Sequence, residues 1–120
     1  MGRQISSFQA AYNVLYRLTV TEGKEATKPE IAREIGNFED ALLKELKEGR
    51  LKSEFFADYA GTADPLSAVE KFNFAFERNK ERKTYTLLRT SEEYFERINS
   101  TLDKDIQRAI RRYVDTRKVA

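Results

Sequence analysis

The chain has 120 residues, 40% of them hydrophobic, which is enough for one core without metal or disulfide support. It contains no cysteine and no histidine, which excludes the commonest zinc sites, thiol catalysis, Ser-His-Asp chemistry and imidazole-based pH switching. Charged residues make up 35% of the sequence yet sum to only +2, so net charge alone does not announce a nucleic-acid partner.

The distribution of charge says more than its sum. Residues 1–76 carry 10 Lys/Arg against 12 Asp/Glu, a balance of −2, whereas residues 77–120 carry 12 against 8, a balance of +4. No apolar run of about 18 residues is present, and the opening MGRQISSF lacks the apolar stretch of a secretion signal. A cytoplasmic protein without a membrane partner, a cofactor or a metal is therefore expected, and the lack of cysteine fits a reducing compartment.

In chain order, Ile5, Phe8, Ala11, Tyr12, Leu15, Tyr16 and Val20 recur at intervals of three and four, which predicts an amphipathic helix over 5–20. Residues 21–24 break it around Gly23. Residues 27–49, TKPEIAREIGNFEDALLKELKEG, then read as two short helices joined by a tight turn. Thr27 with Glu30 forms a capping box and Pro29 suits a first turn. Ile31, Ala32 and Ile35 share one face, and Gly36-Asn37 supplies the two residue types that best tolerate a left-handed backbone. Phe38, Leu42, Leu43 and Leu46 form a second stripe that Gly49 ends. The small Ala32, four residues before the turn glycine, allows the close, steep crossing of a helix-turn-helix.

Residues 51–59 suit a strand or irregular structure, residues 60–65 a loop marked by Gly61 and Pro65, and Leu66 onward a helical turn. Residues 71–88, KFNFAFERNKERKTYTLL, alternate strongly, with Phe72, Phe74 and Phe76 on one face and Tyr85 and Leu87 on the return strand, which predicts a β-hairpin. Its tip carries Arg78, Lys80, Arg82 and Lys83 against the single acid Glu81. Thr90 with Glu93 forms another capping box. It opens a long helix whose stripe includes Tyr94, Phe95, Ile98, Leu102, Ile106, Ala109, Ile110, Tyr113 and Val114, with a break allowed near Asn99. The acid pairs Glu39-Asp40 and Glu92-Glu93 sit at helix starts, where negative charge complements the helix dipole, so no catalytic role is expected for them.

Residues 85–98, YTLLRTSEEYFERI, resemble the strand-to-helix junction Y-x-L-T-x-x-G-x-x-x-L that closes the wing in MarR-like and PadR-like winged helix-turn-helix regulators. Tyr85, Leu87 and Thr90 are in register with it, and the acidic turn Ser91-Glu92-Glu93-Tyr94 replaces the family's glycine. With the two motif helices and the hairpin included, the resemblance extends over residues 5–98 in element order.

It implies an α+β, mainly α fold: a winged helix-turn-helix domain over 1–98, with a short strand before Thr27, followed by a C-terminal helical extension over 99–120. It also implies a homodimer formed through the last helix, by Phe95, Ile98, Leu102, Ile106, Ile110 and Tyr113. The expected partner is double-stranded DNA and the expected role transcriptional regulation at the nucleoid. Recognition would fall to Asn37, Glu39, Asp40, Lys44 and Lys47 on the second motif helix, and backbone grip to Arg78, Lys80, Arg82 and Lys83 on the wing. Arg108, Arg111, Arg112, Arg117 and Lys118 form a third basic surface. The acids on the second motif helix meet phosphates unfavourably. A protein-interaction module without DNA binding, or a DNA- or chromatin-associated protein of little sequence preference, is therefore also compatible with the residues.

Overall fold

The computed structural model describes residues 2–116. The chain runs β1 (Gln4–Ser6), α1 (Ser7–Leu15), a π-helical continuation (Tyr16–Thr21), β2 (Ala26–Thr27), α2 (Lys28–Lys47), β3 (Phe56–Asp58), α3 (Ala63–Lys71), β4 (Phe76–Asn79), β5 (Thr84–Leu87), α4 (Glu92–Asn99) and α5 (Lys104–Asp115). It is a mainly helical α+β fold with a small antiparallel sheet of order β2-β5-β4 and a separate parallel pair of β1 with β3. Among the described residues no helix is long and apolar enough to cross a membrane.

The opening helix forms as its periodicity predicts, except that residues 4–6 are drawn into β1, so the helix starts at Ser7. Ser6 caps it in a reciprocal box with Gln9. After Leu15 the helix widens to π geometry, and its polar side chains reach the end of α5. Arg17 donates from Nη1 to the Tyr113 carbonyl at 3.0 Å and the Thr21 hydroxyl donates to the Val114 carbonyl at 2.5 Å. Those carbonyls belong to the last turn of α5.

The turn expected at Gly36-Asn37 is not there: α2 is one continuous helix of 20 residues. The Thr27–Glu30 capping box forms, Pro29 sits in the first turn, and Gly49 takes φ +82° just beyond the C-cap, all as the sequence predicts. What overrides the local turn signal is the apolar stripe. Ile31, Ile35, Phe38 and Leu42, each 0% exposed, keep helical spacing straight through Gly36. A mid-helix glycine costs about 1 kcal/mol, whereas burying each of those four side chains contributes roughly 1.5–3 kcal/mol. No atom lies within 4 Å of where a Gly36 Cβ would stand. Gly36→Ala is therefore expected to stabilise the protein by about 0.5–1 kcal/mol in urea unfolding. A loss of stability would mean that Gly36 sits in a left-handed turn after all.

The segment after α2 returns to the start of the chain. β3 pairs in parallel with β1 in the register Gln4↔Phe56, Ile5↔Ala57 and Ser6↔Asp58. A full helix, α3, follows where the sequence suggests a loop and a single turn from Leu66. Pro65 falls in its first turn, where a missing N–H leaves no bond unmade, so the Asp-Pro step starts a helix instead of marking a loop. Here α3 lies against α1, with Ala68 and Val69 buried.

The hairpin forms, but from β4 onward only. Phe76 is paired and buried, whereas Phe72 caps the end of α3 and Phe74 is 54% exposed. The apparent alternation of three phenylalanines is a cluster around Phe8, with Phe72 at 5.2 Å, Phe74 at 5.9 Å and Phe76 at 5.6 Å between ring centroids. β2 joins β5 through Ala26↔Tyr85 and Thr27↔Thr84.

The single terminal helix is resolved into two. α4 is capped by Ser91, which accepts from the Tyr94 N–H at 3.1 Å, one residue later than the expected Thr90. The chain then breaks over residues 100–103 before α5. A buried amide pair, Asn13 with Asn99 at 2.8 and 3.0 Å, pins the end of α4 to α1.

The first residues clamp the start of α5. The Arg3 guanidinium grips Asp105 through both terminal nitrogens at 3.1 Å, and Asp105 also accepts from the Lys52 N–H at 2.8 Å and the Ile106 N–H at 2.9 Å. Held this way, and 4% exposed, the Asp105 carboxyl is pushed down to about 2, chiefly by Arg3. A carboxylate whose folded pKa lies below its unfolded value stabilises the fold above the unfolded value and ceases to do so as pH falls through the folded one. The Asp105 contribution, on the order of 2 kcal/mol, is thus expected to be present at pH 5 and lost between about pH 4 and pH 2. Urea unfolding of the wild type and Asp105→Asn across that range checks it: the gap between them closes in acid.

Candidate nucleic-acid interface

The hairpin tip is built by local chemistry. Asn79 accepts from the Arg82 N–H through Oδ1 at 3.0 Å, closing the turn, and Lys83 takes φ +55° to begin the return strand. Arg78, Lys80, Arg82 and Lys83 are all exposed there, with Glu81 as the acid among them. Lys80 and Lys83 make no ion pair with any described residue. Arg78 stands over the Tyr85 ring at 5.9 Å. Arg82 is held at the base of the tip by Glu25, Nη1 to Oε2 at 2.5 Å, and the Thr84 hydroxyl donates to the same carboxylate. The Thr84 hydroxyl and then the Arg82 guanidinium keep Glu25 below the usual carboxylate range.

Beside the hairpin lies α3, whose exposed positions include Asp64, Ser67, Glu70 and Lys71. Asp64 accepts from the Ala60 N–H at 3.0 Å. Glu70 pairs with Lys28 at the start of α2 and accepts from the Tyr85 hydroxyl at 3.1 Å, so Lys28 and then Tyr85 hold its carboxyl low. Lys28 was not expected at a site.

The residues expected on a recognition helix occupy the second half of α2 and do not gather with the hairpin. Asn37 is exposed and donates to Glu34 at 3.2 Å. Glu39 is half-buried and accepts from the Tyr59 hydroxyl at 2.8 Å, while burial, aided by that carboxylate, pushes the Tyr59 phenol up. Asp40 and Lys47 face solvent. Lys44 lines a pocket with Arg17 and Arg112, against α5.

The expected dimerisation stripe lies inside the protomer. Ile106 and Ile110 are 0% exposed, Leu102, Phe95 and Tyr113 are buried, and Ile98 is half-buried against the same core. Their partners are α1, α2 and the π-helical turn of their own chain, so within the described residues this stripe is already covered. Of the C-terminal basic set, Arg108 is exposed, Arg111 pairs with Glu92 and Arg112 with Glu45, while Arg117 and Lys118 lie outside the described residues.

No family model, curated protein or solved structure matches the chain. The functional reading therefore rests on the geometry above.

Proposed function

We propose that the chain is a winged-helix protein that binds duplex DNA, with the grip supplied by the basic hairpin tip. The observation that supports it most is the placement of Arg78, Lys80, Arg82 and Lys83 on a hairpin in a sheet of order β2-β5-β4. The order helix, strand, helix, helix, hairpin is that of a winged helix once α3 is taken as the second helix of the pair. The helix-turn-helix then runs from α2 to α3, through a long connection that includes β3, instead of folding within residues 27–49.

In this arrangement the tip cations neutralise backbone phosphates and release their counterions, which sets affinity and its salt dependence. Asp64 on α3 repels phosphates and Glu70 is already paired with Lys28, so α3 contributes little to affinity. Transcriptional regulation is the role this binding would serve. A homodimer, which two half-sites would require, would have to be built from surfaces other than the α4–α5 stripe. Fluorescence polarisation with labelled genomic duplexes at two salt concentrations tests the proposal. Binding that weakens steeply with salt is expected, and no binding at low salt rejects it.

The acidic exposed face of α3 favours one other reading, a winged helix that docks on a protein partner. Partner capture without duplex affinity would select it.

A further inference from the structure

A second cluster of cations stands apart from the hairpin, where the end of α2, the loop after it, the π-helical turn and the last turns of α5 meet. It surrounds a pocket of about 190 Å³, left open by the small side chains of Ala41 and Ala109. That is room for a tetrahedral oxyanion and part of its hydration. Arg17, Lys44, Arg50 and Arg112 line it, against one acid, Glu45.

The hydrogen bonds these cations already make leave donors over. Arg112 uses Nε and Nη2 on Glu45, and Arg50 uses Nε on Glu45 and Nη2 on Glu48. Arg17 uses Nε on Glu22 and Glu34 and Nη1 on the Tyr113 carbonyl. Nη1 of Arg112, Nη1 of Arg50, Nη2 of Arg17 and Nζ of Lys44 are engaged by none of these bonds. Glu22, Glu34 and Glu48 hold the cations but do not line the pocket. Arg17 is also fixed in place, 9% exposed and stacked on the Tyr113 ring at 4.9 Å, so one donor is preorganised in a low-dielectric wall.

We propose that this pocket between α2, the π-helical turn and α5 binds a phosphate group through Arg17, Lys44, Arg50 and Arg112. The group is either free, as phosphate or a phosphomonoester, or part of a nucleic-acid backbone. The proposal does not rest on the duplex-binding reading, because the pocket and the hairpin share no residue.

The first arm of the test uses inorganic phosphate. Thermal unfolding of the full chain in phosphate, against chloride at equal ionic strength, is expected to show a saturable rise in Tm of about 5 °C at tenfold excess over Kd. The double variant Lys44→Ala/Arg50→Ala removes two exposed side chains and leaves Arg17 and the core intact, and it is expected to lose that rise. Equal Tm in phosphate and chloride overturns the proposal, and so does a rise that survives in the double variant.

The second arm assigns the source. If the double variant also loses duplex affinity with a shallower salt dependence, the phosphate belongs to the nucleic-acid backbone. If the phosphate-dependent rise is lost while duplex affinity is unchanged, the ligand is a free phosphate or phosphomonoester. Absence of duplex binding by the wild type would reject the hairpin reading and leave the phosphate result standing.

Discussion

Replacing Arg17 by alanine is expected to cost about 3–5 kcal/mol of stability. The side chain sits where three parts of the fold meet. Its guanidinium pairs with Glu22 at 3.4 Å and Glu34 at 3.5 Å, donates to the Tyr113 carbonyl and stacks on the Tyr113 ring. Glu34 is 2% exposed and accepts from the Tyr113 hydroxyl at 2.7 Å, while burial and then Glu34 push that phenol well up. Removing Arg17 takes away a cation that pairs with the buried Glu34 carboxylate and leaves a carbonyl at the end of α5 without its side-chain donor.

Domains of this size are stable by roughly 5–15 kcal/mol, so the variant approaches unfolding. The triple change Arg17→Met/Glu34→Leu/Tyr113→Phe is expected to regain part of the loss, because exchanging a whole buried polar group for apolar side chains is far less costly than breaking it. Urea unfolding monitored by far-UV circular dichroism decides. A loss below about 1 kcal/mol for Arg17→Ala would show that the network is not coupled to folding.

The second large effect concerns duplex binding. Lys80→Ala, Arg82→Ala and Lys83→Asn combined are expected to weaken binding by about 10- to 100-fold at low salt. The slope of log K against log salt should fall by about 3, near 0.9 for each phosphate that is no longer neutralised. Asparagine is chosen at position 83 because φ there is +55°, a backbone it tolerates where alanine would be strained. Glu25→Gln supplies a control of opposite sign. Glu25 holds Arg82 in the free protein, so neutralising it frees the guanidinium, and tighter binding with a steeper salt slope is expected. Unchanged affinity in the triple variant would remove the hairpin from the interface, whatever the fold.

How far the sequence revealed the architecture depended on whether local and tertiary signals agreed. The Thr27 capping box, the glycine stop at Gly49 and the basic hairpin tip are local features, and each forms where its residues predict. At Gly36-Asn37 two signals conflict. A glycine followed by asparagine favours a turn, but Ile31, Ile35, Phe38 and Leu42 continue one stripe through it, and burial of a stripe outweighs the cost of one glycine. Drawing the stripe across the glycine, instead of ending it there, would have found α2 whole. α3 was hidden for the opposite reason: Gly61 and Pro65 look like loop punctuation, although proline is harmless in a first helical turn.

Other features have no local signature. Arg17 and Thr21 of the π-helical turn bond to a helix almost 100 residues away in sequence, contacts that no window of neighbouring residues reveals. The C-terminal stripe shows that the last helices bury a face, but periodicity cannot say whether the covering surface comes from the same chain. Of the candidate site, the hairpin cations were legible because charge clustered on a turn is a local pattern. The gathering of Lys44, Arg50 and Arg112 around Arg17 was not, since it depends on how four separate segments meet.

The Arg3–Asp105 clamp has a consequence for how the chain is made. Its partners are separated by 102 positions, and β1 also needs β3, from residues 56–58, before it can pair. At roughly 5–20 residues per second, about 5–20 seconds pass on the ribosome between the synthesis of Arg3 and that of Asp105. During that interval α1 and α2 can cover one another and β1 can pair with β3 once residues 56–58 have been made, but the Arg3 guanidinium lacks its buried carboxylate, and the nascent chain cannot complete its cooperative unit until α5 has emerged.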